Sequence, residues 1–207
     1  METVHILPRM AWVVVGLGNP GEEYSRTRHN AGRMAVEQLA KSIGLSEWKE
    51  DKKKKYTVSR GALGKELVVA LLPDTYMNKS GSAVTPFVKS VKAAEKMIVA
   101  YDDLDLPLGT IKLSFDRGSG GHKGVESVMR AVKTKKFARV RIGVSPSTAS
   151  GKMRKPSGEK DVLKFILEKF KAAEEPELKR VFKRASEAIE AIIERGPLMA
   201  MNEFNRG

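Results

Sequence analysis

The stretch Trp12-Val13-Val14-Val15-Gly16-Leu17-Gly18-Asn19-Pro20-Gly21 decides how the rest of this 207-residue chain is read. Its first six residues are an unbroken apolar run, the mark of a buried strand. The glycines that follow match G-x-G-x-x-G, which after a strand suggests a dinucleotide fold. The context opposes that reading. The fingerprint needs a helix starting at the glycines, so that its N-terminus can hold a pyrophosphate. Here the helical pattern starts about nine residues later, and the acidic candidates Glu37 and Glu47 lie in or just past that helix instead of ending a second strand. The glycines and Pro20 are better explained as a strand-to-loop turn. Such a turn holds Asn19 at the C-terminal edge of a sheet, where α/β proteins bind ligands.

Working outward, Gly18 to Asn30 reads as a polar loop. From Ala31 the apolar residues Ala31, Ala35, Leu39 and Ile43 share one helical stripe, with Asn30 as its expected N-cap and Gly44 as its C-cap. Lys52 to Lys55 reads as a solvated loop. Tyr56–Arg60 and Leu67–Leu72 form an expected strand pair around a Gly61–Gly64 turn. Asn78 to Val91 looks helical, with Pro86 kinking or shifting it. Met97–Tyr101 is a short strand expected to end in the acidic turn Asp102–Asp105. Ile111–Phe115 is a further strand, followed by the glycine-rich stretch Gly118–Gly124 and a helix from about Val125. Arg139–Val144 is the last clear strand. Ser145 to Lys160 is long for an internal connection, which suggests a lid or binding loop. Val162–Phe170 and Pro176–Ile193 are helical. Strands alternating with helices imply a single-domain α/β protein, a three-layer sandwich with a central mixed sheet flanked by helices. The expected domain covers residues 12–195, with tails at 1–11 and 196–207.

The chain carries 38 Lys and Arg against 25 Asp and Glu, a net charge of +13. A domain this basic points to a polyanionic partner, because clustered cations gain affinity by releasing phosphate counterions. There are no cysteines, which excludes thiol nucleophiles, Cys-ligated zinc, iron–sulfur clusters and disulfides. No apolar run reaches the roughly 18 residues of a membrane span. Nucleophile-elbow, P-loop and H-E-x-x-H signatures are absent.

Of the three histidines, His5 falls in the expected tail and His122 in the glycine stretch. His29 has the stronger setting. Arg28-His29-Asn30 ends the loop leaving the first strand, Tyr76-Met77-Asn78 follows another strand, and Asp102-Asp103 follows a third. Polar clusters from several strand ends converging on one place are how α/β enzymes assemble a site.

These blocks resemble the bacterial-type peptidyl-tRNA hydrolases. The likeness runs through Gly16–Gly21, Tyr24, Thr27–Gly32, Tyr76–Gly81, Asp102–Pro107, Gly120–Gly124 and Arg139–Gly143, spanning roughly Trp12 to Ile193. It implies hydrolysis of the ester that joins a peptide to the 3′-terminal ribose of tRNA, which releases the tRNA for reuse. By the resemblance, His29 is the general base that activates water and Asp102 orients its imidazole. Asn19 reads the peptide side of the ester and helps to tell blocked from free aminoacyl-tRNA. Tyr24, Tyr76, Asn78 and Lys123 contact the substrate, and Arg141 with Lys112 contacts tRNA phosphate. Met77 supports the packing beneath. The resemblance implies no metal, no cofactor, no membrane and no obligate protein partner, and a monomer in the cytoplasm or, alternatively, the mitochondrial matrix. A non-catalytic RNA-binding relative, of the splicing-factor kind, is the rival reading. The presence of His29, Asp102, Asn19 and Asn78 together favours the enzyme.

Three positions depart from the pattern. Lys123 replaces an Asn, exchanging a group that donates and accepts for one that only donates. Tyr101 stands where His precedes the Asp, a supporting position. Ser114 replaces one of two cations that grip the tRNA 5′-phosphate, while Arg141 retains the other. Lys112 lies two residues before Ser114, on the same face of the strand, and is expected to substitute.

Overall fold

Trp12–Gly16 forms β1 at the centre of a seven-stranded sheet. The structure is a computed structural model that describes residues 10–147 and 153–206. Val13 and Val15 pack on one face of the sheet and Trp12 and Val14 on the other. A strand buried on both faces needs apolar residues at every position, and this is why the run shows no alternation.

The strands are β1, β2 (Lys49–Asp51), β3 (Tyr56–Leu63), β4 (Glu66–Pro73), β5 (Met97–Pro107), β6 (Ile111–Phe115) and β7 (Ala138–Ser145). They lie in the order β2-β3-β4-β1-β5-β7-β6. β4, β1, β5 and β7 are parallel, whereas β2, β3 and β6 join antiparallel at the edges. The expected three-layer mixed α/β sandwich is therefore present. One face is covered by α1 (Ala31–Ser42), α6 (Glu175–Arg195) and α7 (Pro197–Phe204). The other face is covered by α2 (Ser80–Val84), α3 (Val91–Ala94) and α4 (Lys123–Val132). α5 (Glu159–Leu167) lies over the C-terminal ends of the parallel strands. Chain leaving β1 goes to α1 on one face, and chain leaving the adjacent β4 goes to α2 on the other. That divergence opens a crevice at the strand ends.

Several elements differ from the sequence expectation. β2 was not expected; its three residues are too few and too polar to show a period. The Asn78–Val91 helix is broken: α2 stops at Val84, because Pro86 has no N–H to continue it, and α3 begins at Val91. The Asp102–Asp105 turn is part of β5, which carries on to Pro107 across an irregularity after Asp103. α4 starts at Lys123, ahead of Val125.

Residues 196–207 were expected to be a tail, but Pro197–Phe204 is a helix. Its alternation of exposed Leu198 and Met199 with buried Ala200 is too short to signal one. Just past it, the Asn205 amide donates to Leu113 O and accepts from Leu113 N, at 3.1 and 2.8 Å. This side chain thereby covers the open edge of β6. Of the expected N-terminal tail only Met10 and Ala11 are among the described residues. Of the expected Ser145–Lys160 loop, residues 148–152 lie outside them.

Candidate active site

α1 lies unusually close to the sheet. A Cβ on Gly32 would fall 2.2 Å from Ala100 O, so only glycine allows the first turn of α1 to rest on β5 at this point. That approach brings His29, three residues before Gly32, against Asp102, two residues after Ala100. His29 Nδ1 lies 2.9 Å from both oxygens of Asp102.

The segment holding His29 is pinned from two sides. The Arg28 guanidinium is buried, donates to both carboxylate oxygens of Glu174 at 2.9 and 3.0 Å, and stacks between Phe165 and Phe170. Asn30 sits at the expected cap position of α1, but its side chain makes no capping bond. Its amide instead accepts from Asn19 N and donates to Asn19 O, both at 2.9 Å. The expected cap is thus a clamp on the glycine turn. Asn19 in turn accepts from Met77 N through Oδ1 at 2.9 Å. Its oxygen is committed, so the group left to act in the crevice is its Nδ2 donor.

His122 is the residue that sequence reasoning passed over. It caps α4, with Nδ1 accepting from Val125 N at 3.3 Å. A ring nitrogen that accepts carries no proton, so the proton sits on Nε2, which donates to Asp102 Oδ1 at 3.0 Å. Asp102 therefore takes two imidazole donors. The signal for this was a histidine directly ahead of a helix beside a polyglycine loop, and nothing local revealed its partner 20 residues away. Tyr101, expected to be supportive, packs against the His122 ring, with centroids 4.9 Å apart and the planes tilted by 58°.

The electrostatics follow from this pairing. Burial works to raise the Asp102 pKa, but the electrostatic pull and the hydrogen bonds of the His29 and His122 imidazoles hold it well below the ordinary carboxylate range. Burial likewise works to lower the His29 pKa, and the Asp102 charge and hydrogen bond override it, leaving it raised. With Nδ1–H donated to Asp102, His29 Nε2 has no partner among the described residues. His29 lines the cleft and is 8% exposed.

Ligand atoms of His29, Asp102 and His122 lie within 4.8 Å of one another, close enough to share a cation. The proton pattern opposes that use. A metal on His122 Nε2 would move the ring proton to Nδ1, where it would meet Val125 N–H.

The cleft measures about 1160 Å³. Asn19, Tyr24, His29, Tyr76, Asn78 and Asp102 line it, as do Lys112, Lys123 and Arg141. All nine sequence-derived candidates thus meet in one crevice. Tyr76 is 62% exposed and Asn78 is also exposed, while Met77 between them is buried. The apolar wall opposite comes from Val162, Leu163 and Ile166 of α5, which sequence reading did not connect with the site. Lys112 is directly across from Arg141 in the β6–β7 register. Arg141 is already paired, donating from Nε to Asp103 Oδ2 at 2.6 Å. Lys112 has no ion-pair partner among the described residues. Ser114 faces Arg139, and its buried hydroxyl has no hydrogen-bond partner among them.

The sequence model of one family, described as peptidyl-tRNA hydrolase, matches residues 13–207. A peptidyl-tRNA hydrolase of Mycobacterium ulcerans is 43% identical, covering 93% of this chain and 96% of its own length. One of Aquifex aeolicus is 41% identical, covering 94% and 96%. The crystal structure of peptidyl-tRNA hydrolase from Acinetobacter baumannii superposes with a TM-score of 0.82 at 34% identity, over 95% of each chain. Among the described residues no helix is long and apolar enough to cross a membrane.

Proposed function

The chain belongs to the peptidyl-tRNA hydrolase family, and from that premise we propose how its own residues cleave the ester between peptide and tRNA. One observation carries the reading: Asp102 fixes the proton of His29 on Nδ1, which leaves Nε2 bare at the cleft. A nitrogen so placed takes a proton from water. The water oxygen then bonds to the ester carbonyl carbon. The charge gathering on the carbonyl oxygen is met by the amide of Asn78. Asn19 Nδ2 donates to the peptide carbonyl next to it. Neutral donors of this kind suit a developing oxyanion. As the ester C–O bond breaks, the proton on His29 passes to the departing ribose oxygen. Asp102 stabilises the imidazolium in between, and His122 holds Asp102 in place. Tyr24 and Tyr76 flank the substrate, with Lys123 and the Arg141–Lys112 pair on its nucleic-acid side.

On this reading the chain acts as a monomer, without obligate protein partner or cofactor. A substrate made wherever ribosomes work, and bacterial relatives, support the cytoplasm. The decisive experiment compares hydrolysis of N-acetyl-aminoacyl-tRNA with that of free aminoacyl-tRNA. Turnover of the blocked substrate well above that of the free one is expected, and equal rates would refute the role given to Asn19.

A further inference from the structure

Three of the six Lys and Arg side chains that line the cleft are already engaged. Arg141 is paired with Asp103 and Lys155 with Asp105. Arg139 is buried and donates to Gly118 O and to Arg117 O. Three cleft-lining cations have no ion-pair partner among the described residues: Lys112, Arg117 and Lys123. Arg117 and Lys123 bracket the loop of Gly118, Ser119, Gly120 and Gly121. Gly120 and Gly121 have φ of 64° and 83°, which a side chain would strain, and the space where a Cβ would stand is empty at Gly118, Gly120 and Gly121. Ser119 carries the only side chain of this four-residue loop; its hydroxyl donates to Glu126 and accepts from Gly121 N, both at 3.2 Å. Of the two acids that flank the segment, Glu126 is thereby occupied and Asp116 lies 4.0 Å from the Lys135 ammonium. The loop thus offers a bare backbone surface with an open cation at each end. Its far end is tied to the water-activating centre, because His122, adjacent to Lys123, donates to Asp102.

From this juxtaposition we infer that Arg117 and Lys123 grip the phosphodiesters of the substrate's 3′-terminal nucleotides, those directly behind the ester. The inference rests on the reading of the chain as a peptidyl-tRNA hydrolase. It follows from position: whatever nucleotide carries the ester at His29 must lead its backbone past the residues beside Asp102. A bare glycine surface lets that backbone come close, and unpaired cations favour phosphate over a neutral peptide. Lys123, an ammonium in place of an amide, then serves the nucleic-acid side of the ester, and Arg117 supplies a second contact on the same strand.

The test uses the intact protein and two small esters: N-acetyl-aminoacyl adenosine, which has no phosphate, and the same group on the trinucleotide CCA, which has two internucleotide phosphates. The wild type should show a lower KM for the trinucleotide ester. Lys123→Ala and Arg117→Ala should each cut that KM advantage ~3- to 10-fold, and the double variant should abolish it, as expected for exposed phosphate contacts. Lys123→Arg should keep it. An advantage that persists in the double variant, or is missing in the wild type, overturns the inference. So does a loss that follows an acidic residue in the acyl group in place of the phosphates. Wild type that fails to hydrolyse N-acetyl-aminoacyl-tRNA itself would bring down the underlying reading instead, and that control is run first.

Discussion

The two ends of the cleft are built on opposite terms. At the water-activating end, Asp102 is 4% exposed and both its oxygens are engaged by two imidazoles, while the Asn19 and Asn30 amides are locked to backbone. At the end proposed to meet the nucleic acid, Lys112, Arg117 and Lys123 are exposed and have no ion-pair partner among the described residues. Catalysis by a general base needs geometry held to a fraction of an ångström, so burial and saturation serve it. Phosphate binding works through charge, tolerates displacement, and gains by leaving cations hydrated until the ligand arrives. Of the three departures from the family pattern, Ser114 and Lys123 fall at the second end, and Tyr101 at the first is a supporting position. A long-range charge interaction can be carried by a neighbouring residue, whereas a fixed proton path cannot.

If that division is right, damage at the first end should strike kcat and damage at the second should strike binding. The largest effect belongs to His29→Ala, expected to lower kcat by roughly 10²–10⁴. Equilibrium binding of uncharged tRNA should change little. Single-turnover hydrolysis alongside a binding titration checks both parts. Turnover near wild type would remove His29 from the proton path, and an equal loss of binding would erase the division between the ends.

Asp102 and His122 sharpen the comparison because their loss should move one observable in opposite directions. With His29 as the proposed base the active form has it neutral, so activity should rise with pH through the His29 pKa, which lies above its ordinary value of 6.5. Asp102→Asn takes away the charge that raises it while burial, which lowers it, remains. The acid limb of kcat/KM should move to lower pH, with a loss in kcat of roughly 10²-fold from the weakened imidazolium. His122→Ala deprives Asp102 of a donor, so its charge bears more fully on His29. The limb should move to higher pH, with kcat down by roughly 10-fold. Shifts of the same sign for both variants would mean that His122 does not act through Asp102.

What the sequence disclosed divides along the same line. β1, α1 and α6 were legible because burial imposes a repeating pattern on consecutive residues. Asn19, His29 and Asp102 were legible as polar residues stranded at the ends of such patterns. The link from His122 to Asp102 was not, since a bond between a glycine loop and a strand leaves no mark on either segment alone. Asn30 misled for a related reason: a helix cap and a clamp on the Asn19 backbone place the same residue at the same position. α7 and the edge-covering Asn205 were missed because a single turn or two of helix carries too few buried residues to show a period.

The smallest effect concerns the two cations set side by side at the nucleic-acid end. Lys112 and Arg141 are direct neighbours across β6 and β7, but Arg141 already shares its charge with Asp103 at 2.6 Å. A cation neutralised by a carboxylate displaces fewer counterions when phosphate arrives. Lys112→Ala should therefore weaken tRNA binding by about 3- to 10-fold and flatten the slope of log K against log salt by about 0.7–0.9, one full phosphate contact. Arg141→Ala should flatten it by less, because the residue removed was partly spent. Affinity measured across a salt series decides the matter. A larger slope change for Arg141 than for Lys112 would mean that Asp103 lets go of the guanidinium on binding, and the retained cation of the family pattern, not the substituted lysine, would then carry the grip.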